Sequence, residues 1–384
     1  MEVSQIKDLV NATTKEVLGE SALQIDDLSQ VVSLGESVYN VKQMDNYVRT
    51  LVDQIGKIIF VDRPYKGTAP SVLMDSWEYG AVLEKITMDS LPEAQENDSW
   101  NLTNGTSYDP NVFNGPKVSA KFFNTKSTFE IPMSFADKQV KTAFQNGSQL
   151  NAFMSMIENA INSSMTVKVD SLISGTINSM IAQTFNDGNS NRCINLLKLY
   201  NDRFGTTLTA AKCITDPDFI RWASFRMGLI SNRLSKLSSL FNVGGKERFT
   251  TTDRLHMVML DEFEKAADVY LQSDVYHENF TQLPNAETVA YWQGSGIGYN
   301  FEDTSSIKVT VKNPNGGSDI TVEKSGILGV AFDKDALGVV CENRRVTTQY
   351  NGRAEFYNNW YKFDAGYFND LNENFIVFYV ADAE

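Results

Sequence analysis

The sequence predicts a protein of the α+β class, in which helices and antiparallel strands occupy largely separate stretches of the chain. Three observations support this prediction. Residues 148–185 have the apolar spacing of one long helix, residues 77–133 contain two strand-like runs around an irregular middle, and the chain is rich in strand-like sequence from residue 326 onward. Residues 190–330, between the long helix and the final strands, have a mixed pattern of helices and strands.

The predicted long helix is the element around which the chain is organised. Its apolar residues recur every three or four positions, which is the period of an amphipathic helix. They are Leu150, Phe153, Met154, Ile157, Ile161, Met165, Val169, Leu172, Ile173, Ile177, Met180 and Ile181. Ser148 is the expected N-cap, and residues 186–188, Asn-Asp-Gly, are the expected stop. At about 1.5 Å per residue the helix is roughly 55 Å long. We predict a spine with one apolar face; a long two-helix coiled coil is the alternative.

Residues 75–135 predict a long hairpin with an irregular tip. The strand-like runs 77–88 and 118–133 bracket PEAQENDSWNLTNGTSYDPNVFNGP, which has no period. A loop of this length is usually functional or bound to a neighbour. Trp100, Tyr108 and Phe113 are candidate contacts, since aromatic side chains anchor well in a partner's groove. The alternative is a surface loop without a partner.

The first 46 residues contain short helical fragments broken by Gly19 and Gly35, with few apolar residues. We expect an extended arm that lies on another part of the structure, because the segment is too small for a separate domain.

Residues 190–330 predict a second domain of α/β type. We expect helices over residues 192–204, 216–241 and 262–271, a strand over residues 257–260, and a hairpin joining IKVTV to DITVE. Basic residues are frequent between residues 192 and 248; they include Arg203, Lys212, Arg221, Arg226, Arg233 and Lys236. They form either a solvated helix face or a surface that pairs with acidic faces of identical copies.

Composition narrows the classes of function. The 384 residues are 42% hydrophobic and 21% charged, which is enough apolar material for a sizeable core. A net charge of −14 argues against a general nucleic-acid binder and against attraction to an anionic membrane. Three scattered cysteines give no disulfide framework and suit a reducing interior. Neither a signal peptide nor a membrane span is recognisable, so we expect synthesis in a cytoplasm.

The sequence contains no convincing set of catalytic, cofactor-binding or metal-ligating residues. His256 and His277 lie too far apart for a zinc motif. Gly294, Gly296 and Gly298 superficially resemble a phosphate-binding loop, but a glycine turn between strands fits better. Asp333 and Asp335 could share a cation, yet the spacing of a calcium loop is missing and a turn is the better interpretation. We therefore expect no enzyme.

The order of elements resembles that of tailed-bacteriophage major capsid proteins with the Hong Kong 97-type fold. The stretches that carry the resemblance are LVDQIGKIIF, FMSMIENAINSSM, LHMVMLDEFEKAADVYL, GILGVAFDKDALGVV and ENFIVFYVAD. The resemblance implies an N-terminal arm (residues 1–48), first P-domain elements with an extended E-loop hairpin (49–136), a P-domain spine helix (137–190), an A domain (191–330) and a strand-rich return (331–384). It is closest to short-tailed phages of Gram-positive hosts.

The resemblance also implies a function. Such proteins self-assemble into pentamers and hexamers of an icosahedral shell, which encloses double-stranded DNA without sequence-specific binding and without a membrane. A separate scaffolding protein and a portal protein are the implied partners, and the virion capsid is the implied location. Some members of the family cross-link through a lysine, but no motif selects Lys117, Lys121 or Lys126, so we predict no cross-link. A tail or portal component of a virus, or less readily a cytoplasmic enzyme, are the alternatives.

Overall fold

The computed structural model describes residues 3–19, 24–26, 30, 33–34, 47, 50, 69–74, 83–111, 113–136, 138, 147–272, 286–293, 304–312 and 318–382. The stretch LVDQIGKIIF (residues 51–60), His277 and the glycines at residues 294–298 lie outside these ranges. The helices are α1 (Val3–Leu18), α2 (Gly147–Asp187), α3 (Leu196–Phe204), α4 (Ala210–Cys213), α5 (Pro217–Arg233) and α6 (Asp261–Gln272). The strands are β1 (Leu83–Met88), β2 (Val118–Phe123), β3 (Lys126–Ala136), β4 (Cys193–Asn195), β5 (Leu255–Leu260), β6 (Ala286–Val289), β7 (Ile307–Val311), β8 (Ile320–Lys324), β9 (Ile327–Asp333), β10 (Leu337–Asn351), β11 (Phe356–Asn369) and β12 (Phe375–Tyr379).

The spine helix α2 confirms the long helix that the apolar spacing predicts. It has 41 residues. It begins at Gly147, so Ser148 lies inside the helix and is not the N-cap that the sequence predicted. The stop is confirmed: Gly188 follows the helix with φ +68°, and its amide donates to the Thr184 carbonyl at 3.3 Å. Glycine accepts this left-handed conformation without a Cβ clash.

The prediction of a single apolar face on the spine is wrong near its C-terminal end. From residue 176 to residue 184 no side chain is exposed, and Thr176, Asn178 and Thr184 are buried with the apolar residues. The helix enters the main core here, where strands surround it. The hydroxyls of Thr176 and Thr184 donate hydrogen bonds to the carbonyls four residues earlier, at 2.7 and 2.8 Å. Threonine can therefore be buried in a helix, which apolar periodicity alone does not show.

A five-stranded sheet with the order β4-β12-β9-β5-β6 forms the centre of the second region. Every residue of β9 is buried, and β12 and β5 are nearly so. Helices α3, α5 and α6 pack in the same region. The indole N–H of Trp292 donates to the Ile327 carbonyl at 2.8 Å, which links the segment after β6 to β9. The predicted α/β pattern is confirmed, although β12 comes from the end of the chain.

Two helix boundaries in this region differ from the prediction. The helix expected from residue 192 starts at Leu196, because Cys193–Asn195 pairs with β12 as a short parallel strand. The helical run expected to residue 241 ends at Arg233, and Asp216 caps its start by accepting the Phe219 amide at 2.9 Å. The hairpin of β7 and β8 is confirmed by its antiparallel register.

A second, antiparallel sheet of order β10-β11-β3 lies along the spine helix. Its central strand β11 places Tyr361 opposite Ile131 of β3 and Val346 of β10. Side chains of β11 alternate between buried and half-buried positions, as expected when one sheet face packs on a helix. This sheet and the spine helix pack against each other as two layers of the α+β fold.

The single strand predicted over residues 118–133 is two strands. Strand β2 ends at Phe123 and β3 begins at Lys126, and the two belong to different sheets. Between them the Thr125 carbonyl accepts the Tyr367 amide at 3.2 Å, so the chain changes partner at this point.

The described start of the chain is helical and not extended. Residues 3–18 form one helix, α1, which ends before Gly19 at φ +93° and touches the spine. Val10 and Thr14 are fully buried, and the Tyr47 hydroxyl lies 3.0 Å from the Thr14 hydroxyl. Burial raises the pKa of Tyr47 to about 12. The fragments therefore join into a single helix because one face of it is covered.

Candidate assembly interface

A two-stranded hairpin projects from the fold, as the sequence predicts. Strands β1 and β2 pair antiparallel, with Leu83 opposite Phe123 at the base and Met88 opposite Val118 at the far end. Beyond this pair the Asp89 amide donates to the Lys117 carbonyl at 2.9 Å. We call β1 and β2 the ribbon and residues 89–117 the tip.

Local hydrogen bonds give the tip its shape. The Ser99 amide donates to the Asn97 side chain at 2.8 Å, and the Asn111 amide donates to the Asp109 carboxylate at 2.9 Å. Such contacts are the turns that asparagine and aspartate favour. Every described side chain between residues 91 and 117 is exposed, so the tip has no core of its own.

The structure places all three predicted aromatic residues on this tip. Trp100 is 94% exposed and Phe113 is 92% exposed, while Tyr108 is 45% exposed. The Tyr108 hydroxyl accepts the Thr103 amide at 3.1 Å, so this residue also supports a local turn. Covering a side chain of the size of Phe113 gains about 2 kcal/mol. The two most exposed rings are therefore strong candidates for contact with another chain.

The ribbon adds an apolar surface that the sequence reasoning missed. Ile86 and Phe122 are 65% and 61% exposed, and Met88 and Val118 are also exposed. The register puts Ile86 opposite Ala120 and Met88 opposite Val118, so these side chains share one face. The sequences LEKITM and VSAKFF already contain the period-two alternation of strands with an apolar face. Alternation does not say, however, which face of the ribbon is covered.

The opposite face of the ribbon is charged and meets the body of the protein. Lys85 and Lys121, directly opposite each other, place their ammonium groups 2.9 and 3.0 Å from the two carboxylate oxygens of Asp370. Lys85 also lies 2.8 Å from Glu373, which pairs with Arg248 at 3.2 Å. We call these five residues the hairpin joint.

The carboxylate of Asp370 stays ionised in this joint although its side chain is only 2% exposed. Burial acts to raise its pKa, but Lys85 and Lys121 outweigh burial and hold the pKa below its usual value. A second pairing lies at the far end of the ribbon. There Lys246, at 2.7 Å, and the Ser119 hydroxyl, at 2.8 Å, lower the pKa of Asp89.

Comparison with known proteins identifies the class of this chain. A sequence profile described as Phi29-like phage major capsid protein matches residues 10–379. The chain belongs to this family. It is therefore a phage major capsid protein, a structural protein that forms the shell of the virion and not an enzyme. No curated protein sequence matches the chain.

Solved phage capsids align with most of the chain at low sequence identity. The capsid of Staphylococcus phage Andhra aligns with a TM-score of 0.50 and 11% identity over 84% of this chain and 86% of the other. The capsid of the cyanophage P-SCSP1u gives 0.45 and 13%, covering 84% and 91%. The mature capsid of bacteriophage PhiM1 gives 0.43 and 9%, covering 84% and 89%. The likeness to the Andhra capsid shows the α+β Hong Kong 97-type capsid fold that the order of elements predicts.

Two of the three candidate cross-linking lysines of this Phi29-like capsid protein are paired within the subunit. Lys121 belongs to the hairpin joint, and Lys126 forms an ion pair with Glu342. Lys117 is exposed on the tip. The absence of a covalent cross-link stays a prediction.

The basic stretch of the capsid protein is not one continuous surface. Arg192 is buried, where it pairs with Asp187 and donates to the Leu240 and Asn242 carbonyls. Arg248 belongs to the hairpin joint. Those two arginines stabilise the subunit itself. The exposed cations of the stretch include Arg203, Lys212, Arg233 and Lys236.

The remaining sequence candidates have structural roles. Asp333 and Asp335 lie at the turn after β9, as predicted, and both pair with Arg254. His256 lies on β5 with its ring centre 6.1 Å from that of Phe332, and burial lowers its pKa. In the described ranges we find no group of three or more residues able to hold a metal ion. Within the same ranges, no helix combines the length and apolarity of a membrane span.

Proposed function

We propose that this capsid protein builds pentamers and hexamers of an icosahedral shell through its hairpin, with Trp100, Tyr108 and Phe113 contacting neighbouring copies. The observation that carries the proposal is the near-complete exposure of Trp100 and Phe113 on a tip without a core. Two different surfaces meet in such a contact, and repeated contacts of this kind close into rings.

The tip contacts need not be strong one by one. A closed lattice multiplies weak contacts, because each bound copy holds the next at a high effective concentration. The proposed division of the chain is an arm (residues 1–48), first P-domain elements and hairpin (49–136), spine (137–190), A domain (191–330) and strand-rich return (331–384). In this division the tip, the arm and the exposed basic residues of the A domain supply the contacts between subunits.

The proposed contents and partners of the shell follow from charge and family. A net charge of −14 favours enclosing double-stranded DNA without gripping its phosphates, because tight phosphate binding needs lysine and arginine. A separate scaffolding protein and a portal protein are the partners we propose, with synthesis in the cytoplasm of the host bacterium. The acidic residues would then line the inner wall; finding them on the outside of an assembled particle would contradict this arrangement.

The test is assembly of the purified chain, alone and with a candidate scaffolding protein, followed by light scattering and negative-stain electron microscopy. The wild type is expected to form shells, tubes or rings of five or six. The double variant Trp100→Ala and Phe113→Ala should reduce the assembled fraction at least about tenfold at equal concentration. Its melting temperature should not change, because neither ring contacts a core.

The matched control keeps an apolar side chain at each position, Trp100→Phe with Phe113→Leu. This variant should assemble far better than the double alanine variant. Equal assembly by the wild type and the double alanine variant would refute the role of the tip. A wild type that stays monomeric with every scaffold tested would refute the proposed rings.

A further inference from the structure

The ribbon is attached to the body of the subunit mainly by charge. Apolar contact is concentrated at its base, where the Phe123 ring lies 4.8 Å from the Phe368 ring. Further along, the inner face presents Lys85 and Lys121 to the buried Asp370. The exposed apolar side chains of the ribbon, Ile86, Met88, Val118 and Phe122, point the other way. Because its inner face is charged and its apolar residues are mostly on the outer face, the ribbon is positioned by ion pairs, which are directional, and not by a hydrophobic core.

Asp370 is the only residue of the joint that holds both strands of the ribbon by its side chain. The backbone fixes its position, since the Asp370 amide donates to the Ala336 carbonyl at 2.7 Å. Its Oδ1 atom also accepts the Asn372 amide at 3.1 Å. If the ribbon moved away, this carboxylate would lose the charge-assisted hydrogen bonds from both lysines. Losing two such bonds is unfavourable, so the carboxylate opposes such movement.

Glu373 has a different position in the joint. Arg248 comes from the body of the subunit and would remain on Glu373 after the ribbon had left. Arg248 also donates to the Met88 carbonyl at 2.9 Å, and Lys85 donates to the Asp335 carbonyl at 3.2 Å. These bonds to neutral carbonyls are individually weaker than the pairs with Asp370.

We propose that Asp370 is an electrostatic catch that fixes the orientation of the hairpin on its subunit, and that neutralising this carboxylate lets the ribbon pivot about Phe123, since the Asp89–Lys246 pair at the far end is partly exposed and holds it only weakly. The proposal concerns the single subunit and holds whether or not the tip contacts other copies. It gives the hairpin a defined starting direction for assembly. Rearrangement of the hairpin then requires new charge partners for Lys85 and Lys121.

The test measures the hairpin direction by distances between two spin labels. One label is placed on the tip at Asn104→Cys and the other on α5 at Asn232→Cys, both exposed positions. Labelled chain is mixed with excess unlabelled chain, so that only distances within one subunit are recorded. In Asp370→Asn the distribution should broaden or shift by at least about 5 Å, the displacement from a small pivot of a ribbon about 20 Å long. Asparagine keeps the acceptor for Asn372.

The matched control is Asp364→Asn, which removes a paired carboxylate of β11, the strand that ends just before Asp370, at a site away from the hairpin. Its distance distribution should equal that of the wild type. An Asp370→Asn chain that is folded by circular dichroism and has the wild-type distribution would overturn the proposal. If that chain does not fold, Lys121→Met decides the question, because the Lys121 side chain is 41% exposed and tolerates change. A shift in Lys121→Met supports the catch, and an unchanged distribution refutes it.

Discussion

The guanidinium of Arg345 binds the carboxylate of Asp364 with two hydrogen bonds, from Nη1 to Oδ2 at 2.9 Å and from Nη2 to Oδ1 at 3.1 Å. The Thr128 hydroxyl donates to the same carboxylate at 2.6 Å. Arg345 lies on β10, Asp364 on β11 and Thr128 on β3, so this cluster connects all three strands of the sheet that covers the spine helix. The hydrogen bonds from Arg345 lower the pKa of Asp364 from 3.8 to about 2.

We expect Asp364→Asn to lower the free energy of unfolding by about 1 kcal/mol at pH 7, because Arg345 is partly exposed and solvent screens the pair. The folded pKa lies below the unfolded value, so this stabilisation is present above pH 3.8 and is lost as the pH falls towards 2. Urea unfolding of wild type and variant at several pH values measures it. A stability difference that stays constant down to pH 2 would contradict the assignment to charge.

Gly326 precedes β9 with φ +75°, and a Cβ there would lie 2.0 Å from the Val380 carbonyl oxygen. We expect Gly326→Ala to destabilise the subunit by several kcal/mol, about 2 kcal/mol or more beyond the cost of the backbone conformation. The control is Gly245→Ala, since Gly245 has φ +63° but no atom within 4 Å of the added Cβ. Equal melting temperatures for the two variants would show that the chain end relaxes away.

Ile177 lies on the buried part of the spine and is 1% exposed. We expect Ile177→Ala to lower the free energy of unfolding by about 2–5 kcal/mol, through lost burial and a residual cavity. Val167 on the same helix is 49% exposed, and Val167→Ala should change it by less than about 1 kcal/mol. Denaturant unfolding of both variants provides the comparison. Similar losses would mean that the spine is not embedded at Ile177.

The three cysteines should resist thiol reagents while the subunit is folded. Burial raises the pKa of Cys193 to about 12 and the pKa values of Cys213 and Cys341 to about 11. Because the thiolate is the reactive form, labelling at pH 8 should be slow in the folded chain and complete after unfolding in urea. Mass spectrometry of iodoacetamide-treated protein counts the modified residues. Rapid labelling of folded protein at Cys193 would disprove the burial.

Elements whose signal is local can be predicted from the amino-acid sequence. Apolar periodicity predicts the spine within two residues of its observed ends, because each helical turn repeats the same contact. The strand at β5, the helix α6 and the hairpin of β7 and β8 followed from short patterns in the same way. A stretch rich in turn-forming residues and without hydrophobic periodicity predicted the irregular tip, which carries the three aromatic side chains.

Features that depend on partners distant in sequence become visible only in the folded chain. The break between β2 and β3 exists because the two strands join different sheets, and no local pattern specifies a sheet partner. The direction of the ribbon depends on Lys85 and Asp370, which are 285 residues apart in sequence. An isolated lysine or aspartate in a sequence is normally solvated, and only folding brings these charges together in a buried joint. The sequence therefore did not determine which face of the ribbon is covered, because the residues that cover it are distant in sequence.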